Sequence, residues 1–165
     1  MTPQCTLSPH MRDRLTRALS GTPSVIAGLT RNLAPDDSAW DRRPYPDRFT
    51  LREIAAHLAD WDRIYLERLA SMRDNPGATL EAYDESRLAL IHDYAHAAPR
   101  QSLRRFAESR QKIVALLKKL REDQWRHDGL HADQGVISID LHASYVLMHD
   151  GYHTQQVAEY MQIPE

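Results

Sequence analysis

Apolar residues recur at helical spacing through most of this chain, and the clearest run opens on a capping box. In Thr50-Leu51-Arg52-Glu53 the threonine hydroxyl can accept from the backbone at Glu53 while the glutamate reaches back to the backbone at Thr50. A helix therefore starts there. Its stripe, Leu51, Ile54, Ala55, Leu58, Trp61, Tyr65 and Leu69, keeps to one face until Asn75-Pro76-Gly77 ends it. A long helix with one apolar side must bury that side against other elements.

Similar patterns follow along the chain. Ser8-Pro9 predicts a first helix carrying Met11, Leu15, Ala18 and Leu19, broken at Gly21 and restarted at Thr22-Pro23 with Val25, Ile26 and Leu29. Residues 34–49 hold Pro35, Pro44 and Pro46 and read as a long connection. Tyr83 to Ala97 is a weaker helix, interrupted at Pro99. Leu103, Phe106, Arg110, Ile113, Leu117 and Leu120 form a bundle-packing seam with an arginine in its middle. Trp125 to Gly135 reads as a loop, and Ser138 caps a last helix. The inner face of that helix is expected to hold Leu141, Tyr145, Met148, His149, Tyr152, Gln156 and Tyr160. There is no β-alternation and no internal repeat. The expected fold is an all-α four-helix bundle with short accessory helices, and residues 1–165 make one domain.

A net charge of -2 offers no broad attraction to nucleic acid or an anionic membrane. No apolar run reaches the ~18 residues of a membrane span, and the N-terminus lacks a signal-peptide core. The single cysteine, Cys5, cannot form an internal disulfide, which fits a reducing cytoplasm. It lies in a segment expected to fray and is not counted as a nucleophile. The partner expected on these grounds is a small molecule.

The chemistry lies in the nine histidines. His149 and His153 stand four apart, so on a helix their rings share one face and can grip one ion. The alternative is a pair of helix histidines bonded to carbonyls or water. His57 favours the metal reading, because it sits between Ile54 and Trp61 on an apolar stripe where an unpaired imidazole is costly. Three histidines with open positions left over suit a catalytic rather than a structural site. Gln156 puts an amide on the same surface, able to bond a ligand or a substrate. Gly151 costs its helix ~1 kcal/mol relative to alanine, which suggests that something passes close to it.

His92 and His96 form a rival pair on a weaker helix and read as exposed. His127 and His131 straddle Gly129 in the expected loop and read as solvated. His142 is two turns from His149, about 10 Å along the axis, too far to ligate with His153. His10 is a surface residue. Arg110 needs an anionic partner, either a buried carboxylate or a ligand beside the metal. Glu53 and Asp60 lie within a turn of His57 and can orient its ring, and Tyr145 can donate to a bound group.

The segments Leu-Arg-Glu-Ile-Ala-Ala-His57-Leu-Ala-Asp and His149-Asp-Gly-Tyr-His153-Thr-Gln-Gln together resemble the DinB-like (YfiT-like) metal-dependent bundle superfamily. The resemblance implies a four-helix bundle with His57, His149 and His153 as ligands, and a homodimer. Many members continue the final motif with His-Arg-Gly-Gln, whereas His153 here is followed by Thr154, Gln155 and Gln156. The glutamine position is kept and the intervening Arg and Gly are not. The implied cofactor is a divalent metal, zinc or nickel, that activates a thiol or a water. That gives a transferase or isomerase using a low-molecular-weight thiol, or a hydrolase. The competing reading is a stress-response protein that binds metal and turns over nothing.

Overall fold

The computed structural model describes residues 7–162, so Cys5 lies outside the described residues. Four long helices carry the fold: α1 (Pro9–Leu29), α2 (Leu51–Asp74), α4 (Pro99–Lys119) and α5 (Ile139–Gln162). A short α3 (Glu85–Ile91) lies between α2 and α4. None of the described helices is long and apolar enough to cross a membrane.

The capping box forms as expected. The Glu53 backbone donates to Thr50 Oγ1 at 3.2 Å and the Thr50 backbone donates to Glu53 Oε2 at 2.7 Å. From that start α2 packs along α4, while α5 rests on both α1 and α2. One end of the core gathers Leu15, Leu19, Leu69, Met72, Ile113 and Val146; the other gathers Ile26, Trp40, Ile54, Leu58, Phe106 and Tyr160. The histidine-bearing faces of α2 and α5 meet between these two clusters.

Three expectations need correction. α1 does not break at Gly21 but runs on through Pro23. A continuous helix lets Leu15, Leu19 and Ile26 all bury, which outweighs the hydrogen bond the proline forfeits. The expected loop after Trp125 holds two strands, β2 (Asp128–His131) and β3 (Gly135–Ser138), which join β1 (Ala78–Leu80) in the order β1-β2-β3. β1 pairs parallel to β2, and β2 and β3 form an antiparallel hairpin whose turn ends on Gly135 at φ 69°. Gly129 is required here: a Cβ would sit 2.9 Å from both Leu80 Cδ2 and Met72 Cγ. Strands this short lack the alternation that marks longer ones.

The third correction concerns the inner face of α5. Leu141, Tyr145, Met148 and Tyr152 are exposed, and Gly151 has nothing within 4 Å of where a Cβ would stand. Gln156 and Tyr160 are buried as expected, and the rest of the buried face is Ile139, Asp140, His142, Ala143, Val146, Asp150, His153 and Val157. The helix is rotated because Asp150 goes inward to meet Arg110.

Candidate metal centre

His57, one turn past Ile54 on α2, points at the two α5 histidines. The ring centroids lie 5.0 Å apart for His57 and His149, 4.6 Å for His57 and His153, and 4.5 Å for His149 and His153. One nitrogen from each ring falls within 4.8 Å of the others. His57 Nε2 and His149 Nε2 face each other at 2.9 Å. His153 Nδ1 is bonded to Gln156 Oε1 at 2.7 Å, which leaves its Nε2 as the free nitrogen. Among the described residues the buried Nδ1 atoms of His57 and His149 have no hydrogen-bond partner.

All three rings are held neutral. Burial pushes His57 well below the usual histidine range, helped by His153 and His149. Burial, then His153 and Arg110, take His149 down to about 3. Burial also lowers His153, against the opposing pull of Gln156 and Asp150. Neutral imidazoles present lone pairs, which is the state a metal requires.

A cavity of about 240 Å³ opens beside His149, walled by Trp61, Tyr65, Tyr83, Glu85 and Tyr145 and lined also by Arg68, His131, Asp133 and Gln134. A larger cleft of about 480 Å³ between α1 and the end of α4 is lined by no histidine.

The other expected site residues are placed elsewhere. Arg110 is not at the metal centre; it is an ion-pair hub in the core, bonded to Asp62 and Asp150. Glu53 is engaged by the Thr50 backbone and by Arg43, so it does not orient His57. Asp60 takes a short bond with His92 Nδ1 and another from Tyr94 Oη at 2.9 Å, again away from His57. Gln156 is buried, holding His153 with one end and Tyr152 Oη with the other at 3.1 Å, so it orients a ligand rather than facing a substrate. Tyr145 does reach the cavity wall.

The rival pair does not converge. α3 ends at Ile91, Asp93 turns the chain at φ 48°, and His96 pairs with Asp93 at 2.7 Å while His92 pairs with Asp60. His127 bonds the Arg73 carbonyl at 3.0 Å, and His131 is buried at the cavity rather than solvated, because β2 draws it in. Glu85, Arg68 and His131 were missed by periodicity. Arg68 carried a signal, a charge set between Tyr65 and Leu69 on the buried stripe. Glu85 carried none, since only the fold of the α2–α3 connection brings it near His57.

A scan of known families matches residues 14–157 to the DinB superfamily. The chain belongs to the DinB superfamily. This DinB-superfamily protein is 25% identical over 160 residues to the Bacillus subtilis (strain 168) protein named "Putative metal-dependent hydrolase YfiT", a match covering 95% of this chain and 88% of that one. The solved structure of YfiT from Bacillus subtilis, described as an unusual four-helix bundle, superposes with a TM-score of 0.88 at 22% identity over 97% of this chain and 91% of that one. A mycothiol-dependent maleylpyruvate isomerase shares the fold more distantly, with a TM-score of 0.67 at 15% identity over 94% of this chain and 61% of that one.

His142 gives this DinB-superfamily bundle an acid-sensitive core. It is 1% exposed, neither ring nitrogen has a partner among the described residues, and burial, then Arg68 and His131, hold it down at about 3. A depressed histidine takes no proton in the fold while the unfolded chain does, so its share of stability is present above about pH 6.5 and is lost as pH falls towards 3. His142→Leu should flatten that fall by up to about 1.4 kcal/mol per pH unit. Urea unfolding at pH 7, 6, 5 and 4 measures it; an unchanged slope would show that His142 is protonated in the folded state.

Proposed function

We propose that this chain is a metal-dependent hydrolase in which His57, His149 and His153 hold one divalent ion beside the cavity. The observation that carries this reading is the convergence of three neutral imidazoles within 4.8 Å. The residues fit such an ion. Two Nε2 atoms face each other at 2.9 Å while both partner Nδ1 atoms are buried and unbonded, so neither His57 nor His149 is satisfied by the protein alone. A nitrogen-only donor set suits zinc or nickel. Among the described residues the cluster stops at three, which supports an open rather than a closed site. When bound, the ion supplies the positive charge that acidifies a water near neutral pH.

The chain contributes the surroundings. The rings of Trp61 and Tyr65 wall the centre, their centroids 5.8 Å from that of His57 and 5.5 Å from that of His149 respectively. Glu85 Oε1 lies 3.9 Å from His57 Nδ1, beyond hydrogen-bond length, and lines the cavity. Partial desolvation at the cavity, then Asp84, raises its carboxyl although the side chain is 53% exposed, and a carboxylate there can relay a proton. We assign it the acid–base role. The relative named as a hydrolase supports activation of water. The isomerase neighbour supports a second reading, in which a low-molecular-weight thiol is the activated group.

Zinc- and nickel-loaded protein, tested on a panel of esters, amides and lactones with and without added thiol, separates these readings. Hydrolysis without thiol is expected, reduced about 10²- to 10⁴-fold in Glu85→Gln with metal content unchanged. Turnover that requires the thiol would transfer the assignment to the second reading. Stoichiometric metal with no turnover under either condition would favour a binding protein.

A further inference from the structure

Among the described residues Arg68 is buried with no carboxylate in contact, and of the acids only Asp133 and Glu81 attract it from farther off. It is 5% exposed, close to Arg12 at 4% and Arg110 at 1%. Those two meet carboxylates, Arg12 through Glu122 and Arg110 through Asp62 and Asp150. Among the described residues no carboxylate lies within ion-pair distance of Arg68. Its Nη2 donates to the Glu81 carbonyl at 2.6 Å, and its Nε is buried with no acceptor. A desolvated cation in that position calls for an anion.

The surroundings restrict which anion fits. The guanidinium carbon lies over the rings of Trp61 and Tyr83, at 5.8 and 5.7 Å from their centroids, so aromatic rings flank the charge. It lines the cavity of about 240 Å³ that His149 also lines. His57, Trp61, Tyr65 and Arg68 follow one another at helical spacing on α2, placing the charge about one turn beyond the aromatic wall. His131 and His142 nearby are held neutral, and the carboxylates of Glu85 and Asp133 sit on exposed residues at the rim.

We propose that Arg68 anchors a carboxylate subsite: small carboxylic acids bind edge-on to its guanidinium with their reacting group towards His149. A planar carboxylate matches an in-plane guanidinium edge, and a cavity of this size takes only a small molecule. The subsite rests on the hydrolase reading above for its reaction, though not for its binding.

The test is an NMR titration of acetate, benzoate and succinate, with their amides and inorganic phosphate, into metal-stripped and zinc-loaded protein. The Arg68 Nε–H resonance, assigned through Arg68→Lys, is the readout. At least one carboxylate should shift it in both forms while its amide does not. Arg68→Gln should weaken that binding about 10- to 100-fold, with zinc stoichiometry unchanged. Arg68→Met should lower the thermal midpoint only slightly, because it removes the donor to the Glu81 carbonyl but strands no carboxylate. No carboxylate bound up to high millimolar concentration, equal binding of the amide, or phosphate bound in preference would each overturn the proposal. So would a large loss of stability in Arg68→Met, which would make Arg68 structural. If zinc uptake fails while carboxylates still bind through Arg68, the hydrolase reading falls and the subsite stands.

Discussion

Replacing Arg110 with methionine should lower the free energy of unfolding by about 3–5 kcal/mol, the usual cost of stranding buried charges. The guanidinium is 1% exposed and the Asp62 and Asp150 side chains are 2% and 1% exposed. Arg110 Nε and Nη2 donate to Asp62 at 2.9 and 2.6 Å, Nη2 also donates to Asp150 Oδ1 at 2.8 Å, and Nη1 donates to the Leu19 carbonyl at 3.1 Å. One cation thus ties α4 to α2, α5 and α1. Even so, two carboxylates outnumber it, and burial pushes the Asp62 carboxyl up to about 7 against the pull of Arg110. Removing the arginine leaves both acids in the core with no donor for either. Urea unfolding at pH 7 measures the loss, and the triple variant Arg110→Met, Asp62→Leu, Asp150→Leu should recover most of it. A wild-type midpoint for Arg110→Met alone would show that water reaches the hub and solvates the acids. Asp150 lies beside His149 in sequence, so the hub also fixes the rotation of α5 that aims the histidines at His57.

The second large effect concerns the metal. Protein purified without a histidine tag or chelator should carry close to one equivalent of divalent metal, or take up added zinc or nickel to that level. His57→Ala, His149→Ala and His153→Ala should each lose it. His92→Ala should keep it, because His92 belongs to the Asp60–Tyr94 group instead. Metal at a hundredfold excess over its dissociation constant should stabilise the wild type by about 2.7 kcal/mol and leave the His149 variant unmoved. Metal analysis and thermal unfolding together check this. A wild type that refuses both ions would sink the hydrolase reading and leave three histidines packed for structural reasons.

Which features the sequence exposes depends on the range of the interaction behind them. The capping box at Thr50, the stripes of α2 and α4 and the four-residue spacing of His149 and His153 are set by neighbours one turn away, and all are legible in the chain. His57 is legible for a related reason: an imidazole interrupts an apolar stripe that has no local use for it. Contacts between elements leave no such trace. The β1–β2 pairing joins Ala78 to Gly129, far apart in the chain, in strands too short to alternate. The inner face of α5 was misplaced because its apolar residues, Leu141, Tyr145, Met148 and Tyr152, point outward. Its charged Asp150 points inward, and only the position of Arg110 accounts for that.

By itself, then, the chain determines a helical bundle and the three histidines able to meet in it, because periodicity and capping are local. Tertiary structure alone decided that Arg110 closes on two aspartates, that Glu53 and Asp60 turn away from His57, and that Glu85, His131 and Arg68 share the cavity instead. The physical reason is the same in each case. A charged side chain takes the partner its neighbours in space supply, and long-range packing chooses those neighbours.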